Sequence, residues 1–300
     1  MTLPGYRPEL DKSGVRNNFN AATETYVPAS SLQDYAGKQL LERLEMMKII
    51  PSRILDLGSG PGQFSRELAR IYKRARVIQL DIADRMLVSS RRKDARLFSR
   101  QSYVCADGEL LPLATSAIDL VYSNLMIQWS QDPDSLFREL SAVLRLDGLL
   151  VFSTLGPDTL RELRDSWAAV DDHAHVHTFI DMHDLGDALI RAGFSDPVME
   201  VEMVTLSYSH LSALANDLKG LGAQNLNSER RRTLTGKNRY RQMEAEYEKR
   251  RENGMLPASY ELIYGHAWLA QRVEREQLAA SGQYSISLDQ LRRLLKQSRE

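Results

Sequence analysis

The segment Asp56-Leu57-Gly58-Ser59-Gly60-Pro61-Gly62 restricts the folds open to this chain more than any other. It follows the short apolar run Arg53–Leu57 and precedes a helical pattern carried by Phe64, Leu68 and Ile71. A strand that breaks into alternating glycines and then a helix marks a turn where backbone approaches something closely, because glycine accepts positive φ and presents no Cβ. Two phosphate cradles do not fit. A dinucleotide fingerprint needs glycine at 63, where Gln63 stands, and a P-loop needs Gly-Lys before Ser or Thr. What remains is D-x-G-x-G-x-G, with an acid inside the strand end.

The same alternation continues. Ala75–Leu80 reads as a strand that ends at Asp81, followed by a helix over Ala83–Arg91. Tyr103–Ala106 and Ile118–Ser123 read as strands, Asp132–Leu144 as a helix, and Leu149–Thr154 as a strand behind the turn Asp147-Gly148. Strands alternating with helices predict an α/β fold: a parallel sheet covered on both faces, with ligands at the carboxyl ends of its strands. Four polar elements fall at those ends. They are the glycine turn (Asp56, Gly58, Ser59, Gly60, Gly62), then Asp81, then Asp107-Gly108, then Asn124-Leu125. Asp81 can accept both hydroxyls of a ribose. Asp107 can accept from the exocyclic amino group of adenine, and Asn124 and Leu125 offer an amide and an apolar wall.

Helices flank this core. Val15, Phe19, Ala22 and Tyr26 fall on one face of a helix that Pro28 ends or restarts. Leu32, Tyr35, Ala36, Leu40, Leu41 and Leu44 mark a second helix. Downstream, helices are expected over Asp158–Val170, Met182–Ala192, Ser209–Leu221 and Glu229–Glu252, and strands over Val198–Leu206 and Ser259–Leu269. The expected organisation is a helical lid at 1–50, a core domain at 51–270 with a helical insertion near 208–255, and a tail at 271–300.

Lys plus Arg is 39 and Asp plus Glu is 40, so no basic excess points to nucleic acid. The single cysteine, Cys105, rules out an internal disulfide framework and an all-cysteine zinc site, and it reads as packing at the end of a buried strand. No run is long and apolar enough for a membrane helix, and MTLPGYRPELDKSG lacks the pattern of a secretory signal. A cytoplasmic protein that binds neither membrane nor nucleic acid is expected. His173, His175 and His177 alternate as metal ligands can, but no cysteine accompanies them, and no metal is expected.

ILDLGSGPG, VIQLDIADRML, CADGELLPL and AIDLVYSNLMIQW together resemble the ordered motifs of class I S-adenosylmethionine-dependent methyltransferases. The resemblance covers about residues 50–155. It implies a Rossmann-like sheet of seven strands whose last strand, 259–269, is antiparallel, and S-adenosylmethionine as cofactor, with Met86 beside the residues named above. The flanks are similar to the malonyl-acyl-carrier-protein O-methyltransferase family of biotin synthesis. The matching segments are Asp11-Lys12, Phe19-Asn20-Ala21-Ala22 and Tyr26, then FSTLGPDTLRELRDSW, FIDMHDLGDALIRAGF, LKGLGAQN, LTGKNRY and LPASYELIYGHAW. That family often carries His-x-Asn-Arg-Phe where this chain has His175-Val176-His177-Thr178-Phe179, so Thr178 replaces the arginine.

The resemblance implies methyl transfer to the free carboxylate of a malonyl group carried on acyl carrier protein. A carboxylate with a reference pKa of about 4 needs no base, so a lid and an anchor are the parts to seek. Tyr26 is the lid residue and sole catalytic candidate. Arg161 and Arg164 could anchor a carboxylate through a bidentate fork. Phe179, Lys219 and Asn225 complete the substrate candidates. Basic runs at 85–100 (Arg85, Arg91, Arg92, Lys93, Arg96, Arg100) and at 230–251, beginning Arg230-Arg231-Arg232, could steer an acidic carrier. Competing readings are a methyltransferase of another small molecule, and a hydroxylase or binding protein like the complex I assembly factor that shares the TL-x-ELR and DLG segments.

Overall fold

The computed structural model describes residues 10–94, 100–227 and 235–269. Three helices lead: α1 (Lys12–Ala21), α2 (Tyr26–Ala29) and α3 (Ser31–Met46). The core follows as β1 (Arg53–Leu57), α4 (Gln63–Ile71), β2 (Arg76–Asp81), α5 (Asp84–Lys93), β3 (Gln101–Cys105) and β4 (Ile118–Asn124). After a 3-10 turn at Ile127–Trp129 come α6 (Pro133–Val143), β5 (Leu144–Leu155), α7 (Arg161–Ala168) and α8 (Met182–Arg191). The remaining elements are β6 (Phe194–Tyr208), α9 (Leu211–Gly220), α10 (Lys237–Glu248) and β7 (Leu256–Leu269).

The strands form one sheet in the order β3-β2-β1-β4-β5-β7-β6. β1 to β5 pair in parallel, and β7 lies between β5 and β6, antiparallel to both, as the family resemblance implies for the last strand. The chain proceeds outward in opposite directions from β1 and β4, which opens a crevice beyond their carboxyl ends. Period-two alternation divides the core between two faces. Ile54, Leu120, Tyr122, Leu149 and Val151 pack with α3 and α4, while Leu55, Val121, Leu150 and Phe152 pack with α6 and α8. Burial of both faces explains why the central strands read as continuous apolar runs.

Several sequence expectations are corrected. Val15, Phe19, Ala22 and Tyr26 do not share one helix. α1 stops at Ala21, and Tyr26 opens the four-residue α2, which contains Pro28. The Ala22 carbonyl accepts from the Thr25 and Tyr26 amides, and this turn keeps the Phe19 and Tyr26 rings 6.4 Å apart. β5 starts directly after α6, and its pairing with β4 shifts between Ile118 and Leu120 to absorb the Asp147-Gly148 turn. β6 is longer than expected because β7 supplies thirteen pairs from Phe194↔Leu269 to Tyr208↔Leu256. Cys105 is exposed, not buried, because β3 is an edge strand. Arg96, Arg230, Arg231, Arg232 and the tail at 271–300 lie outside the described residues. Among the described residues no helix is long and apolar enough to cross a membrane.

α3 reaches the sheet at Gly37. A Cβ there would collide with the Phe64 ring, and the buried Tyr122 hydroxyl donates to the Gly37 carbonyl at 2.9 Å. Helix propensity alone favours alanine over glycine by about 1 kcal/mol. Overpacking a full core opposes it by about 1–3 kcal/mol. Gly37→Ala should therefore destabilise the protein, lowering the midpoint of chemical denaturation, and a raised midpoint would show that α3 can shift away from Phe64 freely.

Candidate active site

A cavity of about 560 Å³ lies beyond the carboxyl ends of β1, β2, β3, β4 and β5. Its floor is the glycine turn. Gly58, Gly60 and Gly62 have φ of 73°, 51° and 74°. The Gly58 and Ser59 amides donate to the Leu80 carbonyl at 2.8 and 3.1 Å, which ties the turn to the end of β2. The Gly60 amide donates to Asp81 Oδ2 at 2.8 Å, and the Ala83 amide to Oδ1 at 2.8 Å. Each Asp81 oxygen therefore keeps one acceptor position, and Asp81 lines the cavity. Burial, partly offset by those two amides, pushes Asp81 up to about 6.

The structure brings most of the sequence candidates together. Gly58, Gly60, Asp81, Met86, Asp107, Gly108, Asn124 and Leu125 all line the cavity, as does Tyr26. A Cβ built on Gly60 would meet only Tyr26 Cε1, at 4.0 Å, so open space separates the turn from that ring. Burial, then the carboxylates of Asp81 and Asp34, push the Tyr26 phenol well above its ordinary value, leaving a neutral O–H.

Three turn residues do not reach the cavity. Asp56 is buried behind it, where it accepts from the Ser65 hydroxyl, and burial pushes it up to about 7. Ser59 is buried with a hydroxyl that has no protein partner. Gly62 lets the start of α4 pack against α5 and β2, since a Cβ there would collide with Ser90 Oγ and Gln79 Oε1. Asn124 touches the cavity, yet its amide already serves the fold: Nδ2 donates to the Gln33 carbonyl at 2.9 Å and Oδ1 accepts from Ser153 at 2.7 Å.

The roof comes from three segments far apart in sequence, joined around Trp129. Phe19 of α1 meets Trp129 edge-on at 5.3 Å, and Trp129 meets His177 edge-on at 5.3 Å. Thr25 donates to the Gly220 carbonyl at 2.9 Å, and Asn225 Nδ2 to the Ala174 carbonyl at 2.6 Å. Leu10, Val15 and Leu226 form a small apolar cluster beneath. His175 stacks on Trp167 at 3.7 Å and bonds Asp171, while burial pushes His177 down to about 4. The alternating histidines thus serve different partners.

Apolar side chains, among them Leu155, Leu160, Leu163, Val176, Leu206 and Leu218, line much of the far half. Ser31, Ala215, Asp217, Lys219 and Gln224 are the exposed members of the described lining, so the mouth lies between the start of α3 and α9. Phe179, Lys219 and Asn225 line this cavity, as the sequence suggests. Arg161 and Arg164 do not. Leu160 and Leu163 face inward, which turns both arginines away; Arg161 is exposed beside Glu162, and Arg164 donates to the Thr159 carbonyl at 2.8 Å. α10 also stays out of the lining and packs on α7. Lys12, Gln33, Gln128 and Trp129 also line the cavity without being expected from the sequence, although Lys12, Gln128 and Trp129 sit inside the motifs that carry the resemblance.

A buried acid with two acceptor positions left, open space above Gly60 and a second acid beyond β3 suit a ribose with an attached adenine. The residues present thus fit the nucleoside part of S-adenosylmethionine. Residues 55–152 match a family described as a methyltransferase domain. The fold is similar to that of the YcgJ protein of Bacillus subtilis, with a TM-score of 0.55 at 14% identity, covering 77% of this chain and 98% of that one. It is also similar to a candidate methyltransferase of Bacillus halodurans, with a TM-score of 0.56 at 15% identity, covering 78% and 100%. The fold and the site define a class I methyltransferase whose cofactor is S-adenosylmethionine.

Sequence relatives narrow the class. The chain is 47% identical over 265 residues to a malonyl-[acyl-carrier protein] O-methyltransferase of Laribacter hongkongensis, covering 86% of this chain and 89% of that protein. It is 48% identical over 276 residues to one of Methylovorus, covering 90% and 93%. The chain belongs to the malonyl-[acyl-carrier protein] O-methyltransferase family.

The raised Asp81 has two opposite consequences with pH. Its fold contribution is largest below the unfolded value of about 4 and is lost as pH rises through 6. Ligand hydroxyls need the ionised acceptor, so affinity for S-adenosylhomocysteine should fall about tenfold from pH 7 to pH 5. Calorimetry across that range checks this; a flat profile would remove Asp81 from the ligand contacts.

Proposed function

We propose that this chain transfers a methyl group from S-adenosylmethionine to the free carboxylate of a malonyl group carried as a thioester on acyl carrier protein, a step of biotin synthesis. The single observation that carries this reading is the undivided cavity, polar and deep at Asp81 and apolar toward a mouth at α9. Such a shape suits a thin acyl arm that enters from a carrier left outside. Membership of the family supplies the substrate named for the relatives.

Bound S-adenosylmethionine supplies an electrophilic methyl group on a sulfonium. The chain's own residues supply placement. Gly58, Gly60, Asp81, Met86, Asp107 and Gly108 hold the cofactor half. The neutral Tyr26 phenol stands above the glycine turn, where it can donate to an oxygen and, with the Phe19 and Trp129 rings, keep water out. No residue need remove a proton, because the carboxylate is ionised near neutral pH. Alignment within a dry pocket is what remains for the protein to provide.

The carboxylate is the end of the malonyl group farthest from the carrier, so it belongs at the deep end. Lys219, exposed at the mouth, instead suits the phosphodiester and acidic surface of the arriving carrier. Within the expected lid at 1–50, residues 12–33 cover the cavity, and within the insertion near 208–255 it is residues 208–225 that supply the substrate half.

A product assay and two variants test this reading. Incubation with methyl-labelled S-adenosylmethionine and malonyl-carrier protein should give a thioester one methyl group heavier by mass spectrometry; methylation of other substrates alone would refute it. Lys219→Ala should raise KM for malonyl-carrier protein with kcat little changed, and Tyr26→Phe should lower kcat by about tenfold or more with the melting temperature kept. A Tyr26→Phe enzyme that turns over normally but melts early would return Tyr26 to a packing role.

A further inference from the structure

One cation enters the cofactor half from above. Lys12, the first residue of α1, places Nζ 2.8 and 2.7 Å from the two oxygens of Asp107 and 2.6 Å from Glu109 Oε2. It lines the cavity with Asp107. The geometry is over-determined from both sides. Asp11 caps α1 by accepting from the Gly14 amide at 2.8 Å, and the Leu10 amide donates to Gln131 Oε1. Glu109 Oε1 accepts from the Ser130 hydroxyl at 2.7 Å and the Gln131 amide at 2.6 Å, which leaves Oε2 for Lys12. The lysine therefore joins α1 to the loop after β3 across 95 positions of sequence.

The acceptor count on Asp107 makes this more than a staple. Oδ1 takes Lys12 and the Glu109 amide, at 3.0 Å, and is filled. Oδ2 takes Lys12 and retains one acceptor position. A single oriented acceptor matches one N–H of an exocyclic amino group and repels a carbonyl oxygen in the same place.

We propose that Lys12 is a positioning residue for the cofactor: it closes α1 over the adenine end of the cavity and, by holding Asp107, sets the one acceptor that distinguishes adenine from hypoxanthine. Lid closure and base recognition are then one event. This rests on Asp107 facing the cofactor base, as the proposed function has it.

The test measures binding of S-adenosylhomocysteine and S-inosylhomocysteine by calorimetry, with no turnover required. The wild-type chain should prefer the adenine compound by about 10- to 100-fold, the range a charge-assisted hydrogen bond supplies. Lys12→Met should reduce that preference to about threefold or less, with S-adenosylhomocysteine itself bound about tenfold more weakly. Lys12→Arg should restore part of both. Arg16→Met removes another α1 ion pair, Arg16–Asp84 at 3.3 Å, without touching Asp107, and should leave the preference intact. Hydrogen exchange at the α1 amides should slow on ligand binding in the wild type and much less in Lys12→Met, with melting temperatures confirming that both are folded. A wild-type preference that survives in Lys12→Met overturns the role of Lys12 and leaves Asp107 in place. No preference in the wild type overturns the assignment of Asp107 itself. A loss shared equally by Arg16→Met makes Lys12 a simple staple and overturns the proposal.

Discussion

The Asp81 carboxylate is the contact on which the site depends. Its two oxygens receive the amides of Gly60 and Ala83, so one side chain fixes both the glycine turn after β1 and the start of α5 after β2. A buried carboxylate without such donors would be strongly disfavoured, and the two amides offset part of that desolvation. The result is an acid poised at about 6, ionised near neutral pH and still able to accept from a ligand. Behind it Asp56 lies at about 7, without contact with the cavity, raised mainly by burial and further by Asp81. The carboxyl ends of β1 and β2 thus carry one acid that faces the cavity and one that serves the fold behind it.

Above this floor the cavity exists only because three segments meet. α1 and α2, the stretch 174–179 and the loop 220–227 bond to one another through Thr25, Asn225 and the Phe19–Trp129–His177 ring series. None of these contacts is a strand pairing, so the roof is separable from the sheet in a way the floor is not. The bonds also couple the two halves, because the same rings border the cofactor end and the apolar arm. A shift of any one of these segments would therefore change both ends of the cavity.

Much of this was legible in the sequence. The central strands, the glycine turn, Asp81 and the antiparallel last strand follow from period, glycine spacing and family motifs, all local signals. The failures have physical causes. Lys12 and Asp107 meet across 95 positions, and no local pattern reports such a pair. Arg161 and Arg164 lie on α7 near the cavity but outside its lining; Leu160, Leu163 and Trp167, at i, i+3 and i+7, mark the inward stripe that excludes them. Tyr26 was read on the face of α1 because a turn at Ala22 returns its ring to Phe19, imitating helical spacing. Gly62 has the spacing of a ligand glycine but is required by Ser90, a contact only the packed helix reveals.

The most direct test of the account is a crystal structure of the chain with S-adenosylhomocysteine. Both ribose hydroxyls should sit on Asp81, with the Gly60 and Ala83 amides still donating to it, and the adenine amino group on Asp107 beside Lys12. A ribose held elsewhere, with Asp81 bonded only to its two amides, would contradict it.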